Sequence, residues 1–345
     1  VVEATADAPF GSANPLVPTP TPSNPAAYYD PRVKNVYSEQ WNLEIQRELL
    51  GNLALSVAYV GSHNLRIAIG GDYNTALVPG PGPVSARQPW PHAPITNWDR
   101  SAGQSRYNGL HVKLERRMAR GASFLTAYTW SKSIDTASSG YGSSENISLQ
   151  NPYDPNGSRS VSGFDVPHIF STAVVYELPF GHGKPWLARG IAARIFGNWQ
   201  FNGIVTLRSG QVSTPQMNVD IANIGAVNNV SRARPDLVGN PRLDNPRPEA
   251  WFNRAAFAAP RQFTFGSAGR NILRSDSLQN FDLSLFREDK IGERATLQFR
   301  GELFNAFNHP TFGVPQAVFT NRLFGQVSGT ASTARQIQLG LKLIF

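Results

Sequence analysis

The chain has 345 residues, of which 41% are hydrophobic and only 16% charged, with a net charge of +8, 30 Gly, 26 Pro and no Cys. Lack of Cys excludes a disulfide scaffold, a thiolate metal site and thiol chemistry. No run of about 18 apolar residues occurs, so no transmembrane helix is expected. The cationic excess is scattered. Its densest cluster is Lys113-Leu114-Glu115-Arg116-Arg117, which argues against nucleic acid as a partner. No charged stretch followed by an apolar run opens at Val1, so no signal peptide is expected in this stretch.

The informative signal is alternation with period two. Residues 1–34 are Pro-rich and read as a loop. Trp41, Leu43 and Ile45 then alternate with Asn42, Glu44 and Gln46. After Leu50-Gly51-Asn52, the residues Leu53, Leu55, Val57 and Tyr59 alternate with Ala54, Ser56 and Ala58. This is a hairpin pattern closed by a Gly-Asn turn. The unit recurs at 107–118, where Leu110, Val112 and Leu114 oppose His111, Lys113, Glu115 and Arg117. It recurs again at 124–131, 170–178, 199–208, 281–285, 295–303 and 337–345. One stretch departs from it. Between Trp186 and Phe196, Leu187, Ile191 and Ile195 recur every four residues, which predicts a short amphipathic helix.

About nine strands follow, each near the ~9–11 residues that a tilted strand needs to cross a bilayer. The connections decide the architecture. Short turns at 50–52, 119–121 and 288–294 and a medium link at 179–198 alternate with long loops at 70–106, 135–165, 209–278 and 307–333. Short turns at one end and long loops at the other characterise a transmembrane β-barrel, with turns toward the periplasm and loops outside. Trp41, Tyr59, Tyr128, Trp130, Tyr176, Trp199 and Phe345 fall on the apolar side, where interfacial girdles belong. A soluble β-sandwich would also alternate, but it needs neither strands this long nor loops this lopsided. The expected fold is therefore all-β, a partial antiparallel transmembrane barrel of about nine strands.

Several stretches taken together carry a family resemblance. They are Gln40-Trp41-Asn42-Leu43-Glu44-Ile45-Gln46-Arg47-Glu48, Val57-Ala58-Tyr59-Val60-Gly61-Ser62 and Tyr107-Asn108-Gly109-Leu110-His111-Val112-Lys113-Leu114-Glu115-Arg116-Arg117. Further along come Tyr128-Thr129-Trp130-Ser131-Lys132-Ser133-Ile134-Asp135, Tyr176-Glu177-Leu178-Pro179-Phe180-Gly181 and Phe304-Asn305-Ala306-Phe307-Asn308-His309-Pro310. With these, the chain from about Asn35 to Phe345 resembles the C-terminal barrel region of TonB-dependent outer-membrane receptors. The likeness is to the Oar-like kind with a carboxypeptidase-regulatory-like N-terminal domain. The resemblance implies a division into a Pro-rich extracellular loop, 1–34, and the C-terminal part of the barrel, 35–345. It also implies location in a Gram-negative-type outer membrane and uptake of a scarce solute such as a siderophore, oligosaccharide or peptide. Its implied partners are outer-membrane lipid, the barrel-assembly machinery and, through a segment outside these residues, the TonB energy-transducing complex. It implies no cofactor. Alternatives are a passive porin or adhesin-like barrel and a secreted carbohydrate-binding sandwich.

No catalytic constellation stands out. The six His (His63, His92, His111, His168, His182 and His309) form no close metal-binding pair, and only His111 and His168 are expected within strands. Gly181-His182-Gly183-Lys184 is followed by Pro185 where a phosphate loop carries Ser or Thr, and reads as a turn. The candidate functional residues are instead those of the polar face: Glu44, Gln46, Lys113, Glu115, Arg117, Gln298, Arg300 and Glu302. They would face a lumen, as contacts for solute or plug or as a solvated, internally paired wall. Trp90, Trp98, Tyr141 and Trp251 in the loops could stack on flat ligands or hold the loops together. Phe345, ending an alternating strand, looks like the signal read by the assembly machinery.

Overall fold

The computed structural model describes residues 28–29, 32–49, 52–72, 74–91, 97–138, 149–225, 233–292 and 294–345. The proposed 1–34 loop, His92 and Tyr141 lie outside the described residues, apart from a few positions at the end of that loop, and so does the side chain of Trp98.

Nine strands form the main sheet: β1 (Tyr37–Leu49), β2 (Leu53–Asp72), β3 (Asn97–Ala119), β4 (Ala122–Asp135), β5 (His168–Glu177), β6 (Trp199–Arg208), β7 (Leu278–Ile291), β8 (Ala295–Phe304) and β9 (Gln336–Ile344). Each pairs antiparallel with the next in sequence, so the sheet is a continuous meander. Two-residue strands at Tyr28–Tyr29 and Ser160–Val161 add to β3 and β4.

Turn chemistry closes the short end. Between β3 and β4 only Arg120 and Gly121 intervene, with φ of 52° and 79°. Two consecutive positive values match the twist of a tight hairpin. Asn52 (φ 62°) and Gly292 (φ 66°) serve the β1–β2 and β7–β8 turns. The β5–β6 link carries the one α-helix among the described residues, α1 (Gly190–Phe196), shorter than the predicted 186–196. Leu187 and Gly190, both at positive φ, break any earlier helical start.

At the other end the strands outrun the expectation. β2 has 20 residues and β3 has 23, so the anticipated 70–106 loop shrinks to 73–96. The extra ladder, 60–72 against 97–109, contains Gly61, Gly70, Gly71, Gly103 and many small polar residues. Backbone pairing holds it without alternating apolar side chains, which is why the period-two signal missed it. A bulge at Arg66 (φ 61°) interrupts the ladder. There a Cβ on Gly103 would sit 2.8 Å from the Ile67 carbonyl oxygen, so only Gly fits. His63, expected in a loop, lies in β2 and its Nδ1 is 3.3 Å from Glu39 Oε2.

The register carries one set of side chains continuously across the sheet. Ile45, Val57, Val112, Tyr128, Phe170 and Leu207 lie in one cross-strand row. The adjacent row on the opposite face is Gln46, Ser56, Lys113, Ala127, Ser171, Thr206 and Asn280. All seven aromatics expected in a girdle have the parity of the apolar face.

Among the described residues, no second layer covers either face of the sheet. Among the described residues, every buried apolar residue except Ala193 lies in the long connections or at the strand ends beside them. Phe252, Phe257 and Phe324 pack edge to face with centroids 4.9–5.7 Å apart, and Phe319 joins Phe324 at 5.4 Å. A second cluster, Ala76, Ala222 and Ile224 with Val84 and Phe265, ties the β2–β3 connection to the β6–β7 connection. The core is therefore at the long-loop end.

Gly210 enters this body where a Cβ would collide with the carbonyl oxygens of Ser275 and Asp276. Gly210→Ala is expected to cost about 1–3 kcal/mol. Faster proteolytic cleavage within 209–277, with the strands still protected, is the measurement that checks it.

Candidate functional site

The eight predicted polar-face residues do share one face, but they form two groups. In the first, Glu44 Oε1 accepts from Gln46 Nε2 (2.7 Å) and Ser56 Oγ (2.6 Å), and Lys113 Nζ lies 2.8 Å from Glu115 Oε2. Glu115 and Arg117, with Glu48, Asn52 and Ala54, line a cleft of about 310 Å³ at the short-turn end. In the second group, Gln298 donates to Glu288, and Arg300 Nε donates to Gln298 Oε1 at 2.6 Å. The Arg300 guanidinium lies 4.8 Å from the Phe286 ring centre, a favourable cation–π geometry. Glu302 pairs across the ladder with Ser284 and Gln338. Gln298 is buried, unusually for this face.

Between the groups run β4, β5 and β6, whose polar-face positions are mostly small or neutral: Ser123, Ala127, Ser171, Ala173, Asn202 and Thr206. From Lys113 on β3 to Gln298 on β8 there are five strand spacings of ~4.8 Å, about 24 Å along the sheet. The groups cannot act on one small ligand atom; they are separate stretches of a wall.

The long connections hold a second constellation, which the period-two pattern did not reveal. Arg270 and Asp135 form a buried ion pair. Arg270 also donates to Ser158 O (2.9 Å), Ser138 Oγ (2.8 Å) and Asp135 O (2.8 Å). Arg274 Nη2 donates to Asp165 Oδ2 at 2.9 Å, and its Nη1 to Asp165 O and Gly210 O. Asp165 Oδ1 in turn accepts from the Ser133 backbone N–H at 2.8 Å. These contacts fasten the β4–β5 connection to the β6–β7 connection at the tip of β4.

Arg234 is buried beside them. Its guanidinium donates to Ala268 O and Ser158 Oγ, and its Nε has no partner among the described residues. Burial, and next the neighbouring Arg270 charge, bring its pKa down to about 10. It remains a cation at neutral pH. Tyr153 donates its hydroxyl to Thr75 O at 2.9 Å, and burial raises its pKa above the ordinary value. Asn305 clamps the last connection, donating to His309 O and Thr333 O and accepting from His309 N.

The loop aromatics divide accordingly. Trp251 packs on Phe312 (5.9 Å) and donates its indole N–H to Arg274 O, so it holds the body together. Trp90 is half exposed, and its backbone N–H and carbonyl are both bonded to the Asn74 side chain. Phe345 lies just beyond β9, almost fully exposed.

Arg270→Met leaves the Asp135 carboxylate buried without its cation. The expected loss is about 3–5 kcal/mol, read as early thermal loosening of the loop body. Replacing Asp135 by Leu in the same protein should recover part of that loss, because the orphaned charge is then gone.

A family match agrees with this architecture. A family model described as outer membrane beta barrel domain matches residues 2–338. No curated protein matches the chain. Among solved structures it is similar to the outer membrane transporter YddB from Escherichia coli, at 9% identity and a TM-score of 0.47, over 94% of this chain and 34% of that one. It is also similar to the pyoverdine outer membrane receptor FpvA from Pseudomonas aeruginosa PAO1, at 13% identity and a TM-score of 0.44, over 89% and 30%. A third is BauA, the ferric preacinetobactin receptor from Acinetobacter baumannii, at 11% identity and a TM-score of 0.45, over 89% and 29%. The chain thus spans about a third of the length of these structures.

Proposed function

The chain belongs to the outer membrane beta barrel domain family, and on that premise we propose that it works as the outer-loop-bearing part of an energy-coupled receptor for a scarce solute. Its apolar face then meets lipid, its polar face the lumen, and its long connections the exterior. The observation that carries the reading is the displaced core. Four long connections fold into one body with its own aromatic cluster, a buried ion pair and a half-buried one, at one end of a wall. A pore needs only a constriction, whereas a preformed surface suits recognition, because little ordering cost remains to be met on binding. The two polar-face groups line the lumen in this reading, as contacts for the solute or for a plug. Energy coupling through TonB rests on the sequence resemblance. No covalent chemistry is involved.

Liposome swelling in raffinose, with the complete protein reconstituted, tests the reading. A receptor closed until energised gives no swelling above protein-free vesicles. Swelling that a mutant lacking energy coupling retains would overturn the receptor and leave a passive barrel.

The membrane placement makes its own prediction. Leu341 is on the apolar face of β9 and exposed. Leu341→Arg should weaken folding into bilayers by about 2–4 kcal/mol if it lies at mid-depth. Heat-modifiable gel mobility reports the folded fraction, and Lys342→Arg on the other face should leave it unchanged.

A further inference from the structure

The β5–β6 link is the longest connection at the short-turn end, and it turns its apolar side chains outward. We infer that α1 and the residues before it form a foot that lies in the periplasmic leaflet of the outer membrane, in contact with phospholipid. The inference rests on the membrane reading above and goes beyond it, since turns at this end need only reverse the chain.

Local geometry fixes the link first. Gly181 and Gly197 approach so closely that a Cβ on Gly181 would lie 2.6 Å from the Gly197 Cα, and one on Gly197 would lie 2.8 Å from the Gly181 Cα. Gly181 N donates to Trp186 O and Trp186 N to Pro179 O, closing the first half of the link into a small loop. A seven-residue helix is far too short to persist unaided. It is held at its C-terminal end by side chains of the sheet. Arg287 donates to Arg194 O (2.5 Å) and Ile195 O (2.9 Å), and Trp199 Nε1 donates to Ile195 O (3.0 Å).

Those two anchors place the helix. Arg287 pairs across the ladder with Trp199 and Phe299, and Phe299 with Leu341, so all lie on the apolar face. The helix is thus fastened to the lipid-facing surface and continues it past the strand ends.

Its polarity is the reverse of a helix packed on a protein in water. Ala193, the side toward the protein, is 4% exposed, while Ile191 is 76% and Ile195 53% exposed. A surface helix in water buries its bulky stripe and shows its small or polar side. Trp186, Leu187 and Phe196 are exposed beside them. From Leu178 to Trp199 there is no acidic residue, whereas Arg189 and Arg194 are exposed. Neither makes an ion pair among the described residues. Apolar side chains flanked by free cations, with Trp at the edge, suit the boundary between acyl chains and phosphates.

The chain has no Cys, which allows site-specific spin labels. The complete protein, cleared of any other cysteine, is reconstituted in phosphatidylethanolamine–phosphatidylglycerol vesicles with a nitroxide at Ile191→Cys. Collision rates with oxygen and with a water-soluble nickel chelate are compared with labels at Leu341→Cys and at Arg120→Cys. The foot predicts an oxygen-favoured Ile191 label, like Leu341 and unlike Arg120. A nickel-favoured Ile191 label beside an oxygen-favoured Leu341 overturns the foot and spares the barrel. An Ile191 label shielded from both reagents, or broadened by a second label, means a protein contact or a second copy and also overturns it. Nickel-favoured labels at both sites overturn the membrane placement itself.

Discussion

Every strand of this sheet must satisfy its backbone sideways, because strand N–H and C=O groups point along the sheet toward the neighbouring strands. An unpaired N–H or C=O in hydrocarbon costs several kcal/mol, so the ladder has to run unbroken where lipid touches it. The same ladder fixes which side chains meet which medium, since a slip of one residue would exchange the two faces. The irregularities respect that limit. One irregular stretch runs from Leu65 to Ala68, beyond Tyr59 toward the long loops, and the other lies between Arg116 and Ala119, beside the turn. Between them the pairing of β3 with both neighbours is regular, and the apolar rows continue undisturbed.

A wall that gives both faces away has nowhere to keep a conventional core except past its end. The long connections supply it, and their chemistry follows from their irregularity. A buried coil has carbonyls that no ladder satisfies. Here three guanidiniums take on that task, with Arg270, Arg274 and Arg234 donating to the carbonyls of Ser158, Asp135, Asp165, Gly210 and Ala268. Asp135 and Asp165 balance two of the three charges. Arg's planar fork with five donors suits this where Lys would not. The aromatic cluster of Phe252, Phe257 and Phe324 then provides apolar burial that the strands cannot.

What sequence reasoning reached and what it missed divide along the same line. Alternation is a local signal, so the faces of β1 to β9, the shared parity of the seven aromatics and the common face of Glu44 and Glu302 were all legible. The upper ladder of β2 and β3 was not, because Gly70, Gly71 and Gly103 pair through backbone alone and carry no period. His63 was misplaced for that reason. The loop constellation was out of reach for another reason. Arg270 and Asp135 are separated by 135 positions, and a loop Arg that will be buried looks like one that stays in water. The separation of the polar-face residues into two groups depended on strand order, which became visible only with the meander.

Charge on the apolar face measures the wall against the bilayer. Along β3 that face reads Arg106, Asn108, Leu110, Val112, Leu114 and Arg116. The ten residue steps from one Arg to the other span about 33 Å along the strand. At a tilt of ~40° this becomes about 25 Å across the membrane, the height of an outer-membrane apolar band. Arg47, Arg116 and Arg287 all lie at the short-turn end of the apolar face, from which a long side chain can reach phosphate. Arg287 turns instead to the Asp289 carboxylate and the carbonyls ending α1. The cation that would otherwise mark the lower edge of the band on β7 instead fastens a helix there, so the apolar surface extends below the strand ends at that point of the wall.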